Sequence, residues 1–235
     1  MIFPPIKTPQ FVVYFSMAST AARSNLMRNI DEMNNVTSIL DDEIHIFSRL
    51  MYKNHSQHRR SPYFRRLKQV KRCLRDIDIG SIRTAFKDFR TVFSHFEIKS
   101  EAHHLSWKLL STELKHSTDG ILRELILIAD RVSELLHYMQ IAYKDLETQF
   151  VQTYFMQMAL TMKSVLARLT MCFGNILLNC YQAHGCLVLL YLDQVCKSNP
   201  LRAQITAVQL KGYKFSFRTL KMVNVYLALK AENKS

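Results

Sequence analysis

The stretch Ser61-Pro-Tyr-Phe-Arg-Arg-Leu-Lys-Gln-Val-Lys-Arg-Cys-Leu-Arg-Asp-Ile77 combines a helical apolar pattern with a run of positive charge. Ser61 stands at an N-cap position, and Pro62 suits the first helical position because the N–H that proline lacks has no helical partner there. Apolar side chains then recur at spacings of four, three, four and three, at Tyr63, Leu67, Val70, Leu74 and Ile77. This spacing predicts an amphipathic helix with one buried face.

The same period continues on both sides of this stretch. Upstream, it predicts a single helix that runs to about Tyr52, with the stripe Leu26, Ile30, Met33, Thr37, Leu40, Ile44, Phe47 and Met51. Lys53–Arg60 follows as a polar break. Downstream, Asp78-Ile-Gly80 ends the central helix and Ser81 is expected to cap a third, with the stripe Ile82, Phe86, Phe89, Phe93 and Phe96. Short connections predict that the three helices are antiparallel neighbours.

The second half of the chain predicts longer apolar helices. A short helix is expected around His104–Leu114, and Asp119-Gly120 is expected to open a helix that reaches Tyr143. Residues Phe150 to Leu169 form its continuation or a separate helix. Gly174 and Gly185 are expected to bend the chain, and Pro200 to end the region, with Ser198 or Asn199 capping a further helix. After Gly212, the basic segment Tyr213–Lys230 is expected to be helical in its second half.

Composition supports an all-helical protein. Hydrophobic residues make up 48% of the 235 residues, which is enough for a core, while glycine and proline number only 5 each. We therefore predict the all-α class, as an antiparallel bundle of about five to seven helices with long apolar helices in its C-terminal half. The predicted divisions are an N-terminal extension over 1–23, for which disorder is one alternative, a helical-bundle RNA-binding domain over 24–197, and a basic helical extension over 198–235.

Positive charge is concentrated around the central helix. The net charge of the chain is +13, and no acidic residue lies between Glu43 and Asp76. Nine of the 32 lysines and arginines fall within Lys53–Arg75: Lys53, Arg59, Arg60, Arg65, Arg66, Lys68, Lys71, Arg72 and Arg75. Like charges one helical turn apart repel each other, so a helix that carries them without acidic partners is expected to meet an anion. The phosphate backbone of a nucleic acid is the natural candidate, because binding releases its counterions.

The polar residues among these cations have the chemistry for reading RNA. Asn54, His55, Gln57 and His58 can hydrogen-bond base edges or 2′-hydroxyls, and the aromatic rings of Tyr63 and Phe64 can stack on an unpaired base. The candidate RNA-binding residues are Lys53, Asn54, His55, Gln57, His58, Arg59, Arg60, Arg65, Arg66, Lys68, Arg72, Arg75 and Arg168. The competing interpretation of this charge run is a solvated surface.

Arg168 stands apart from this cluster, at the end of the apolar run Met162–Ala167. A cation there must pair with a carboxylate, extend to the surface or meet a phosphate. Pairing with Glu134 or Asp130 and contact with RNA are both open.

Other kinds of site have little support. The sequence contains no phosphate-binding glycine loop, nucleophile elbow or zinc-protease motif, so no catalytic activity is expected. The five cysteines form no C-x-x-C pair and are expected to be reduced, buried thiols. His55 and His58 lack further ligands nearby, so neither a metal nor another cofactor is expected. The segment Leu169–Val195 is too polar for a membrane span.

A resemblance to a known family rests on the segment from Leu50 to Leu74, which resembles the N-terminal domain of the nucleolus and neural progenitor protein family. That family carries a Tyr-x-Asn-His element that is followed, after thirteen residues, by Gln-Val and then Cys-Leu, and this chain has the same spacing at Tyr52, Asn54, His55, Gln69, Val70, Cys73 and Leu74. Asn54–Arg59 also resembles a basic element of the fungal protein subunit specific to RNase MRP. A looser likeness, to the C-terminal half of the same nucleolar family domain, rests on Gln149-Phe-Val151 followed by an apolar helix that ends in Arg168-Leu169. The whole resemblance covers about 40–185.

The resemblance implies a helical, nucleolar subunit of RNase MRP that acts in pre-ribosomal RNA processing. In that particle the RNA performs the cleavage, so the expected partners are the RNase MRP RNA and other protein subunits, with no membrane and no small-molecule substrate. The location in the nucleus, and there in the nucleolus, is likewise implied by the resemblance. The residues alone lead only to a basic helical RNA binder. The alternative is a protein–protein scaffold whose basic helix docks an acidic partner; a membrane-surface protein and an enzyme of unknown type are less favoured.

Overall fold

The computed structural model describes residues 20–100, 112–152, 155–198 and 214–232, and all regular structure in these ranges is helical. The all-α class is therefore confirmed. The eight helices of the described ranges are α1 Thr20–Asp31, α2 Met33–Lys53, α3 His55–His58, α4 Pro62–Asp76, α5 Ile79–Ser100, α6 Thr112–Val151, α7 Met156–Ser198 and α8 Phe217–Glu232.

Contacts divide the chain into two compact units. The first comprises Met1–Asp31, Thr84–Ile126 and Asn179–Lys214. Its described core is rich in phenylalanine from α5, with fully buried leucines from α6: Phe86, Phe89, Phe93, Leu122 and Leu125. At its surface, Arg90 forms an ion pair with Asp31. The aromatic stripe predicted for α5 therefore faces a core.

The second unit comprises Glu32–Arg83, Leu127–Leu178 and Phe215–Ser235, and it contains the basic segment. Here α2 packs against α4, and the fully buried side chains of the unit, contributed by α2, α4, α6 and α7, include Phe47, Phe64, Leu67, Leu135 and Phe173. Full burial of such a side chain contributes roughly 1.5–3 kcal/mol. The apolar stripe of α4 is thus a core face, which leaves its cations on the outside.

A hydroxyl network fastens the start of α8 to α6 within this unit. The Ser216 hydroxyl accepts a hydrogen bond from the backbone N–H of Thr219 at 3.2 Å, as an N-cap does. The same hydroxyl donates to Asp130 Oδ1 at 2.8 Å. Thr219 also donates to that oxygen and lies 3.1 Å from the Ser133 hydroxyl. The described part of the basic C-terminal segment is helical from Phe217, as predicted for its second half.

The prediction of one uninterrupted first helix is wrong by a single residue. Helix α1 ends at Asp31 and α2 begins at Met33. Glu32, between them, keeps helical backbone angles, and its carbonyl still accepts from the N–H groups of Asn35 and Val36 at 3.0 and 3.1 Å. Because the apolar period continues across this point, the sequence pattern does not reveal the break.

The predicted cap of α5 is the wrong residue. Asp78, rather than Ser81, caps this helix: its Oδ1 accepts from the Gly80 N–H at 2.9 Å and its Oδ2 from the Ser81 hydroxyl at 2.8 Å. These two hydrogen bonds, the one from Ser81 first, lower the pKa of the Asp78 carboxyl. Helix α5 accordingly begins at Ile79, three residues before the Ile82 that a Ser81 cap predicts.

The glycines of the second half do not mark helix boundaries. Gly120 lies inside α6, and both Gly174 and Gly185 lie inside α7. A Cβ atom at Gly174 would lie 2.3 Å from Cε1 of Tyr226, so this glycine makes room for a ring of α8. Helices α6 and α7 are separate, and Phe155 between them has a φ of 58°, in the left-handed region.

Other predictions fall partly or wholly outside the described residues. The part of His104–Leu114 before Thr112 lies there, as do Pro200, Asn199 and Gly212 with their proposed roles. The described part of α7 extends to Ser198.

Candidate nucleic-acid interface

Helix α4 separates apolar and basic side chains onto different faces. Tyr63, Phe64, Leu67, Val70 and Leu74 are buried. Four exposed cations recur at spacings of three, four and three, which puts them on one side of the helix: Arg65, Lys68, Arg72 and Arg75. These four residues, the basic stripe, extend over about 15 Å at 1.5 Å per residue.

No carboxylate of the described residues neutralises the basic stripe. Of the nine cations in Lys53–Arg75, all of which are described, only Arg66 has a carboxylate of the described residues within 4.0 Å, that of Asp145 at 3.8 Å. Arg66 lies on the other flank of α4, and such an exposed pair contributes about 0–1 kcal/mol. Lys68 has its Nζ 5.6 Å from the centroid of the Phe64 ring. The stripe therefore presents positive charge to solvent.

The predicted polar break between α2 and α4 contains a helical turn, α3. His55, Gln57, Arg59 and Arg60 are exposed along it, as the RNA-binding hypothesis requires. Asn54 is half-buried, and its side-chain Nδ2 donates to the Leu50 carbonyl at 2.8 Å. Asn54 therefore closes the C-terminus of α2 with one of its two N–H donors.

His58 is not the surface residue that the sequence predicted. Only 1% of it is exposed, and its Nδ1 shares a hydrogen bond of 2.5 Å with the Tyr63 hydroxyl. The ring of Phe155 meets it edge-on, with centroids 4.5 Å apart. Burial lowers the pKa of the His58 imidazole. The burial of His58 contradicts the expectation that its ring is available to RNA. The ring instead holds α3 against α4 and against the turn before α7.

Arg168 is paired, but with neither of the carboxylates that the sequence suggested. Its Nε lies 3.1 Å from Oε1 of Glu43, which projects from the middle of α2 into the interior. Glu43 is 7% exposed, whereas 55% of the Arg168 side chain is exposed. The pairing with Glu134 or Asp130 is therefore wrong. Arg168 lies on α7, outside the basic stripe, with part of its guanidinium facing solvent.

A second basic feature, on the outward face of α2, was not predicted because Arg49 and His45 lie before the dense run of charge that starts at Lys53. An open groove of about 670 Å³ runs along the last turns of α2, with His45, Ile46, Arg49, Tyr52 and Lys53 among its lining residues. Tyr52 is 84% exposed and Ile46 is 40% exposed. The signal in the sequence was the recurrence of His45, Arg49 and Tyr52 at helical spacing on the face opposite the apolar stripe.

Sites for metals and reactive thiols are not apparent in the described part of the chain. No three histidine, cysteine or acidic side chains are grouped there as a metal ion requires. Of the described cysteine side chains, Cys180 and Cys186 are buried and Cys73 and Cys172 are half-buried; that of Cys196 lies outside the described set. Burial raises the pKa of the Cys180 thiol. Among described helices, none is long and apolar enough to cross a membrane.

Fold and surface define the class: an all-helical protein with an unneutralised basic face beside a groove that carries an exposed aromatic ring. The family model described as nucleolus and neural progenitor protein, N-terminal, matches residues 4–188. The match covers most of the chain and both basic features, and the chain belongs to this family. It extends further toward the N-terminus than the segment on which the resemblance rested. No curated protein and no solved structure matches the chain.

Proposed function

We propose that this protein is a non-catalytic RNA-binding subunit of a nucleolar ribonucleoprotein. The observation that carries the proposal is the basic stripe of α4, in which Arg65, Lys68, Arg72 and Arg75 are exposed without a carboxylate of the described residues within 4.0 Å. Four uncompensated cations on one rigid helix suit a ligand with regularly spaced negative charges. The name of the family supports a place in the nucleolus, where the abundant polyanion is RNA.

The finer proposal is that the particle is RNase MRP and the pathway is pre-ribosomal RNA processing. Its support is the likeness of Asn54–Arg59 to the fungal RNase MRP subunit, and the exposure of His55, Gln57 and Arg59 in that element. In this role the protein positions RNA and does not cleave it, because the RNA of the particle supplies the catalysis.

In this mechanism the cations and the polar residues have different roles. The stripe, with Arg59 and Arg60 at its N-terminal end, neutralises phosphates and releases counterions, which supplies affinity without sequence preference. The exposed polar atoms of His55 and Gln57 hydrogen-bond bases or 2′-hydroxyls and favour a particular RNA shape. The buried face of α4 holds the cations in place, since its apolar residues are fixed in the core.

Charge reversal on the stripe tests the proposal. The variant Arg65→Glu/Arg72→Glu/Arg75→Glu alters exposed side chains only, so it is expected to keep its fold. We expect it to lose most RNA affinity and to flatten the slope of log affinity against log salt by about three, one for each lost phosphate contact. The matched control, Lys87→Glu/Arg131→Glu/Arg218→Glu, makes the same change of charge at scattered exposed positions.

Comparison of the two triple variants distinguishes RNA binding at the stripe from non-specific attraction of RNA to the net charge of the chain. If both triple variants lose the same affinity, net charge rather than the stripe binds RNA, and the proposed face is wrong. For the finer proposal, the tagged chain is recovered from nuclear extract and the accompanying RNA is sequenced. Enrichment of RNase MRP RNA over RNase P RNA supports it, whereas recovery of an acidic protein without RNA identifies the stripe as a protein-docking surface.

A further inference from the structure

The groove on α2 combines three properties that the basic stripe of α4 lacks. It is concave, it contains the exposed ring of Tyr52, and it has an apolar wall at Ile46. Its described lining residues all belong to α2, and it is open to solvent, so it can contact one nucleotide of a larger RNA without enclosing it. Arg49 and Lys53 flank the tyrosine, one turn before it and directly after it.

We propose that this groove binds an unpaired nucleotide of the RNA whose backbone lies on the basic stripe. Tyr52 stacks on the base, Ile46 contacts its edge, and Arg49 and Lys53 pair with the flanking phosphates. The inference rests on the proposed function and adds to it the kind of RNA: a junction where a paired stem meets an unpaired strand.

The charge around the groove selects an anionic ligand. Neither Arg49 nor Lys53 has a carboxylate of the described residues within 4.0 Å. The nearest acidic residue on the same face of α2 is Asp42, one turn before Ile46, and the chain carries no acid from there until Asp76 except the buried Glu43. The C-terminal part of the groove is therefore positive, and the acid marks its far edge.

The exposed ring distinguishes an unpaired base from a duplex. In a helical stem the bases are stacked inside, and a protein meets phosphates and 2′-hydroxyls, which the cations of α4 suffice to bind. An aromatic ring stabilises the complex only when a base can stack on it, and that requires an unpaired nucleotide. The Tyr52 ring is 84% exposed and lies next to Arg49 and Lys53, which suits the binding of an unpaired base with its flanking phosphates.

The connection between groove and stripe allows one RNA to reach both. Lys53 lines the groove and is also the first cation of the basic segment, and α3 with Arg59 and Arg60 leads from it to α4. Helices α2 and α4 also pack against each other within the second unit. The two features are therefore parts of one surface rather than separate sites.

The test compares two RNAs on the full chain: a blunt hairpin, and the same hairpin with a single-stranded overhang. We expect Tyr52→Ala to weaken binding of the overhang RNA by about 5- to 150-fold, the range that corresponds to one stacked base, and to leave binding of the blunt hairpin unchanged. Tyr52→Phe, which keeps the ring, is expected to bind both RNAs as the wild type does. Phe217→Ala is the matched control, because Phe217 is an equally bare aromatic residue, 85% exposed, at the start of α8.

Each result decides one of the two proposals. If the wild type prefers the overhang RNA and only Tyr52→Ala abolishes that preference, the nucleotide site is established. Should Tyr52→Ala bind both RNAs normally, or weaken both equally, the nucleotide site is overturned while the role of the basic stripe stands on its own triple variant. If the wild type binds neither RNA, the proposed function itself fails, and the nucleotide site fails with it.

Discussion

Glu43 on α2 and Arg168 on α7 form an ion pair of 3.1 Å in which the carboxylate is buried and the guanidinium is half exposed. The second carboxylate oxygen, Oε2, has no hydrogen-bond partner among the described residues. One cation is thus the main compensation for a negative charge inside the second unit. Such a pair is sensitive to the loss of one partner and tolerant of the loss of both.

Replacement of Arg168 by methionine is expected to lower the free energy of unfolding by roughly 1–3 kcal/mol, because it leaves the Glu43 charge uncompensated. Exposure of the guanidinium keeps the cost below that of a fully buried pair, about 3–5 kcal/mol. Urea unfolding of the purified chain measures the difference.

The double variant Glu43→Met/Arg168→Met is the control for this pair. It removes both charges and fills the space with side chains of similar volume, so its stability is expected to return close to that of the wild type. Costs that simply add would contradict the coupling. Because the double variant stays folded, its RNA affinity also tests directly whether Arg168 contacts RNA.

The same substitution at two helical glycines is expected to have opposite effects. Gly120→Ala should raise the free energy of unfolding by about 0.5–1 kcal/mol, since an added Cβ meets nothing within 4 Å and alanine favours the helix. Gly174→Ala should lower it by roughly 1–3 kcal/mol, because the new Cβ would lie 2.3 Å from the buried ring of Tyr226. Thermal and urea unfolding check both, and a stabilised Gly174→Ala would mean that α8 does not pack there.

Stability is expected to fall at mildly acidic pH because of His58. Burial lowers its pKa in the folded state, so the unfolded chain binds a proton first as the pH drops through the unfolded value of about 6.5. The stabilisation is therefore complete above that value and is lost below it, with a slope of at most about 1.4 kcal/mol per pH unit until the folded pKa is reached. Unfolding free energies between about pH 7.5 and pH 5 measure it.

Two histidine variants isolate this contribution. His58→Gln removes the titrating group and retains an acceptor for Tyr63, so its stability should depend less on pH than that of the wild type. His55→Gln makes the same change at an exposed neighbour and should retain the wild-type slope. Identical profiles for all three proteins would show that His58 does not titrate differently on folding.

Loss of the Ser216 hydroxyl is expected to loosen α8. This side chain accepts from the Thr219 N–H and donates to Asp130, so Ser216→Ala removes the cap and leaves the carboxylate with fewer donors. The cost should be about 1 kcal/mol, with faster amide exchange in the first turn of α8. Ser94→Ala serves as the comparison, since the Ser94 hydroxyl bonds only a carbonyl of its own helix and alanine suits a helix interior. Equal effects would argue against the cap.

Much of the fold could be predicted because helices are local structures. The stripe from Tyr63 to Leu74 and that from Ile82 to Phe93 are both buried as expected, since a period of 3.6 residues puts them on one face whatever the surroundings. Turn signals were less reliable. Glycine at 120 or 174 is compatible with a helix interior when neighbouring turns supply enough hydrogen bonds and packing, and this depends on residues distant in sequence.

The candidate site also has some features that the sequence predicts and others that it does not. The exposure of Arg65, Lys68, Arg72 and Arg75 followed from their spacing relative to the buried stripe. The burial of His58 did not, because it requires Phe155, almost a hundred positions later, to cover the ring. The groove at Tyr52 was missed because its shape is a property of the folded surface.

The sequence by itself determined that the chain is helical, where most helices lie, and that one of them bears a dense positive face. Side-chain period and charge are properties of neighbours in the chain, and they survive any tertiary arrangement. Only the tertiary structure decided that Glu43 neutralises Arg168, that Gly174 admits Tyr226, and that the four cations of the basic stripe have no carboxylate of the described residues within 4.0 Å. Each of these depends on which distant residues pack together, and packing specificity comes from the complementarity of whole faces rather than from local pattern.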